Sequence, residues 1–90
     1  MAAIDPQFAT DQLRAQVADL LNRCGGTVTD VRLTVAATAS DPGAVAERFR
    51  ASLKDTELRA ISAISGDNEE RVTVLNQIDR QVTAVISKEH

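Results

Sequence analysis

The stretch Thr27-Val28-Thr29-Asp30-Val31-Arg32-Leu33-Thr34-Val35-Ala36-Ala37-Thr38-Ala39 decides the fold class. Val31, Leu33, Val35, Ala37 and Ala39 share one parity. Asp30, Arg32, Thr34, Ala36 and Thr38 share the other. Successive side chains of a strand point to opposite faces, so the alternation predicts one continuous strand buried on one side. Its Val and Thr content suits a pleated, half-buried surface. Such a strand is long for a chain of 90 residues. At a sheet edge it would offer unpaired backbone groups to another chain. Asp30, Arg32 and Thr34, on its polar face, are the candidate interaction residues.

Upstream, Leu13, Val17, Leu20, Leu21 and Cys24 recur at helical spacing and predict a helix over 10–24. Thr10 is its N-cap, Asp11 places negative charge in its first turn, and Gly25-Gly26 ends it. Residues 1–9 read as a flexible N-terminus, leaving 10–90 as a single α+β domain. Downstream, Asp41 caps a second helix with Pro42 at its first position. Val45, Phe49 and Leu53 form that helix's buried stripe, and 54–57 is a polar break. A weaker strand over 57–65 carries Leu58, Ile61 and Ile64. Gly66-Asp67-Asn68 is turn chemistry, and 69–75 returns as a second hairpin strand with Val72 and Val74 on one face.

The C-terminal segment reads as a helix. Ile78, Val82, Val85 and Ile86 recur at i, i+4, i+7 and i+8, and Asn76 would cap them with Asp79 three residues on. An alternative makes 68–88 one helix, giving a mostly helical C-terminal half. The expected order is helix-strand-helix-strand-strand-helix, a small ferredoxin-like sandwich. A right-handed crossover sets its first two strands parallel, and helices cover one face. Val17, Leu20, Val31, Leu33, Val35, Phe49 and Leu53 are the expected core.

Composition narrows function mainly by exclusion. The chain has one Cys (Cys24), one His (His90) and neither Trp nor Tyr. Proton shuttles, nucleophiles and metal sites draw on those residue types, so an autonomous enzyme is disfavoured. The net charge is −3, and arginines from Arg14 to Arg80 are interleaved with acids, so nothing attracts nucleic acid by bulk charge. No apolar run approaches the ~20 residues of a membrane span. The first residues resemble no secretory leader, so a cytoplasmic chain is expected as it stands. A chain cut from a longer protein would also lack its leader or anchor.

The candidate chemistry is thin. Cys24 stands at a helix C-terminus, where the dipole disfavours a thiolate, so a packing role is expected. Asp41-Pro42-Gly43 resembles a phosphate-binding helix start, but the Asp41 carboxylate would occupy its own N–H groups. Asp67-Asn68-Glu69-Glu70 lacks the alternating spacing of a calcium loop and reads as a solvated hairpin tip. His90 is terminal. Asp19, Asp30 and Asp79 have no spacing that argues for paired catalysis. No catalytic, cofactor or metal residue is assigned. The expected function is a non-enzymatic interaction or assembly module, self-associating as a homodimer or joined to another protein. The alternative is a regulatory subunit that binds a small ligand between sheet and helix.

Val31-Arg32-Leu33-Thr34, followed by Asp41-Pro42-Gly43-Ala44-Val45-Ala46, resembles bacterial lipid-associated BON domains. The expected element order is also similar to the ferredoxin-like modules of secretion and pilus assembly platforms, and to ACT-type regulatory domains. The resemblance lies at the level of fold, and a fold does not carry function.

Overall fold

The structure is a computed structural model that describes residues 6–89. Among the described residues two α-helices and five strands follow one another. They are α1 (Pro6–Arg23), β1 (Thr27–Val31), β2 (Val35–Ala39), α2 (Pro42–Ser52), β3 (Arg59–Ser65), β4 (Glu69–Leu75) and β5 (Gln81–Lys88). A 3₁₀ turn, Leu53–Asp55, follows α2. The strands form one sheet in the order β1-β2-β5-β4-β3. β2 and β5 run parallel, and the other neighbours are antiparallel.

The expected ferredoxin-like order is overturned at two places. First, 27–39 is a hairpin and not one strand. Val31 pairs with Val35, so Arg32, Leu33 and Thr34 form a three-residue connection. An odd-length connection returns the chain with its parity unchanged, which is why the alternation ran on without a visible break. No glycine, proline or asparagine marks the turn. Arg32 is tied back to the end of β1, its Nε and Nη2 donating to the Asp30 carboxylate at 3.0 and 3.3 Å. Leu33 and Val31, expected in the core, are exposed. A bulge between Val28 and Asp30 shifts the register, so Val28 lies against the core together with Val35, Ala37 and Ala39.

Second, 81–88 is a strand, so among the described residues there is neither a third α-helix nor a helical C-terminal half. Ile78, Val82 and Ile86 are four apart, a spacing compatible with both the helical and the strand period. In the sheet, Val82, Ala84 and Ile86 are buried by strict alternation. The capping asparagine makes a turn. Asn76 Oδ1 accepts from the N–H of Ile78 at 3.1 Å and of Arg80 at 2.9 Å. Its N–H donates to the Arg80 carbonyl at 3.1 Å. Asp79 takes φ = 61°, the left-handed conformation that lets so short a loop close. Because β5 returns beside β2, the parallel pair is β2–β5; the expected pairing of the first two strands is absent.

Other expectations hold. Asp41 caps α2, its Oδ1 accepting from the Ala44 N–H at 3.1 Å, with Pro42 beginning the helix. The expected start of the first helix is corrected: α1 begins at Pro6, so Thr10 does not cap it, Asp11 lies beyond its first turn, and residues 6–9, expected to be flexible, are helical with Ala9 buried. Residues 1–5 and His90 lie outside the described residues. At the C-terminus of α1, Gly25 adopts φ = +96°. The Gly26 N–H reaches back to the Leu21 carbonyl at 2.9 Å, closing the last turn.

Both helices lie on one face. Leu13, Val17, Leu20 and Leu21 of α1 and Val45, Ala46 and Phe49 of α2 share one core with the alternate residues of β2, β5 and β4. Phe49 is fully buried at its centre. Arg48 joins the helices, its Nε donating to the Cys24 carbonyl at 3.0 Å, where a cation complements the end of α1.

Candidate functional site

Helical cover stops short of one edge of the sheet. α1 packs on β1, β2 and β5, and α2 on β2, β4 and β5. β3 has only β4 beside it and the 3₁₀ turn at its start. All seven residues of β3 are therefore exposed. Between Arg59 and the turn, Ala60-Ile61-Ser62-Ala63-Ile64-Ser65 carries no charge and no proline. Ile61 is 45% exposed and Ile64 61%.

The two edges differ in how they are defended. β1 is five residues long, bulged, covered by α1 and followed by the Asp30–Arg32 ion pair. Short strands, bulges and charges are the usual devices against unwanted pairing. β3 has a bulge between Ala60 and Ser62 and one charge, Arg59, at its start. From Ser62 to Ser65 it is a neutral edge.

The hydrogen-bond phase of this edge follows from its turn. The Gly66 N–H donates to the Glu69 carbonyl at 2.8 Å, making that pair the hydrogen-bonded end of the hairpin. Bonded and non-bonded pairs alternate along an antiparallel ladder. With Ile64 opposite Arg71 and Ser62 opposite Thr73, these two residues direct their backbone groups to β4. Ala63 and Ser65 direct theirs outward. Directly opposed residues share a face, so Ile64 lies in one row with Arg71, Val85 and Ala36 on the helix-free side. On that side Thr73 and Thr83 are bonded to each other at 3.1 Å.

Charge brackets the neutral segment. Arg59 stands at its start and Asp67 just beyond its end. Neither makes an ion pair among the described residues. The neighbouring acids are engaged: Glu69 with Arg71 at 2.8 Å, and Glu70 with the Ser65 hydroxyl at 2.6 Å.

The candidate residues read from sequence lie at the far edge. Asp30 and Arg32 form one exposed ion pair, and Thr34 ends the β1–β2 turn. The hydrogen bond from Arg32, with its charge, holds the Asp30 carboxyl below its usual range and raises the Arg32 guanidinium in turn. The other sequence candidates are accounted for structurally. Cys24 is a buried free thiol in the core. Asp19 pairs with Arg23 at 2.8 Å. Among the described residues no group of three His, Cys, Asp or Glu could hold a metal ion.

A cleft of about 250 Å³ opens between α1 and the β4–β5 turn. It is lined by Gln12, Gln16, Asn76 and Gln77 around Leu13 and Ile78.

The β3 edge was only partly visible in sequence. Its strand character was legible, and so was the lack of charge in 60–65. Its position in the sheet depends on β5 being a strand, which the shared four-residue spacing concealed. The chain matches no family model, no curated protein and no solved structure. Among the described residues no helix is long and apolar enough to cross a membrane.

Proposed function

We propose that this domain is a non-enzymatic interaction module that accepts a further β-strand at its β3 edge. One observation carries the reading: a seven-residue edge strand wholly exposed and neutral along its outer half, in a sheet whose opposite edge is defended. Strand addition uses main-chain hydrogen bonds for affinity and alternate side chains for selectivity. Here the outward backbone groups of Ala63 and Ser65 supply the first, and Ile61 and Ile64 the second.

The α1 cleft favours a second reading, the binding of a small ligand. Four side-chain amides around an apolar floor suit a polar metabolite. The cleft falls below the ~300 Å³ at which small-molecule pockets usually begin; a second cleft of about 400 Å³, between the start of α2 and the β3–β4 turn, is lined by Asp41, Asp67, Glu69 and Glu70 and has no apolar floor. Asn76 Oδ1 is also already spent on its turn. Strand addition is therefore the stronger reading.

The test compares edges. Immobilised wild-type chain, an Ile64→Lys variant and an Asp30→Lys variant are each exposed to extract from the source cells. A partner, whether another protein or a free copy of this chain, should be held by wild type and by Asp30→Lys and lost from Ile64→Lys. Equal retention by all three baits would sink the proposal.

A further inference from the structure

Resting on the strand-addition reading, we infer that the strand added at β3 is the β3 of a second copy, giving a twofold dimer with one ten-stranded sheet. The argument is charge and register. In an antiparallel self-pair the start of one strand meets the end of the other. β3 has an unpaired cation at its start, Arg59, and an unpaired anion just past its end, Asp67, with only neutral residues between. The segment is therefore complementary to itself reversed.

Charge selects the register. The twofold axis can lie on a bonded pair, Ala63 or Ser65, or on a non-bonded pair, Ser62 or Ile64, and charge decides among them. Centring on Ser65 or Ile64 leaves Arg59 beyond the Asp67-Asn68 turn of the other copy, with no strand residue opposite, and centring on Ser62 sets it against Ser65. Centring on Ala63 sets Arg59 against Asp67 of the other copy, and symmetry makes that ion pair twice. In the same register Ser62 faces Ile64 of the other copy. The two Ile64 side chains then meet diagonally across the axis on the helix-free face, within reach of long side chains. That contact covers the more exposed of the strand's two isoleucines. An antiparallel edge pair keeps faces aligned, so the four helices lie on one side of the joined sheet.

The experiment is sedimentation of the purified chain across concentrations at low ionic strength, with charge reversal and disulfide trapping. The wild type should show a reversible monomer–dimer equilibrium. Arg59→Asp and Asp67→Arg should each weaken the dimer about tenfold, since each removes two exposed ion pairs and adds repulsion. The double variant should recover the wild-type constant. Both sites are exposed, so unchanged melting confirms that the fold is retained. In a Cys24→Ala background, Ala63→Cys should form a disulfide dimer on mild oxidation. Opposed residues of a bonded pair lie ~5.5 Å apart at Cα, within disulfide range. Ser65→Cys should not, because the register puts its two copies ~13 Å apart along the strands. A wild type that stays monomeric to millimolar concentration overturns self-pairing and leaves strand addition to the extract comparison. A dimer indifferent to both reversals and to Ile64→Lys overturns self-pairing and the β3 reading together.

Discussion

Phe49 and Asp79 show how much a single residue decides here. Phe49 is fully buried between both helices and the sheet. Its replacement by alanine removes a ring and leaves a cavity, so Phe49→Ala should lose about 3–5 kcal/mol in urea unfolding. An unchanged midpoint would place the core elsewhere. Asp79 works the other way. Its φ of 61° costs an L-residue ~1–2 kcal/mol, whereas glycine there costs only ~0.5–1 kcal/mol of added chain entropy. Asp79→Gly should therefore raise the melting temperature slightly, and a clear fall would show that the aspartate side chain stabilises the turn. Asp30 gives a pH signature. Arg32 lowers its folded-state pKa, so any stability it contributes is present above the unfolded value and lost as pH falls through the folded one. The group is solvent-accessible, so the effect is small and salt-sensitive. By NMR the Asp30 carboxyl should titrate below the usual carboxylate range and return to it in Arg32→Gln; identical titration in both proteins would remove the ion pair from the account.

At the scale of elements, the backbone phase of β3 makes two adjacent prolines behave differently. The Ser62 N–H faces β4, so Ser62→Pro breaks the ladder and should cost at least ~1 kcal/mol more than Ala63→Pro. The Ala63 N–H faces outward, so Ala63→Pro should keep the fold and remove edge pairing. Matched stability losses at the two sites would contradict the assigned phase. The elements also show what was readable in the sequence. α2 was legible because Asp41, Pro42 and the Val45–Phe49–Leu53 stripe agree on one helix. The β3–β4 hairpin was legible because Gly66-Asp67-Asn68 separates two short apolar runs. β1 and β2 merged because a three-residue turn without turn residues preserves parity. β5 passed for a helix because a spacing of four fits both periods, and Asn76, a good helix cap, closes a hairpin with the same oxygen. These losses propagate: with β5 misread, nothing in the local pattern could show that β3 ends the sheet.

For the whole molecule, the consequence is asymmetry. Two helices cover four of five strands, one edge is short and charged, and the other is exposed and neutral. A small domain gains from burial that its own core cannot supply, and twofold pairing is the commonest way for one chain to supply it to another. The most direct measurement is amide hydrogen exchange along β3 in dilute and concentrated samples. The N–H groups of Ser62 and Ile64, bonded to β4, should be protected at both concentrations. Those of Ala63 and Ser65 should exchange freely when dilute and become protected as the concentration rises. Free exchange of Ala63 and Ser65 at every concentration, in a chain that nonetheless dimerises, would contradict the account.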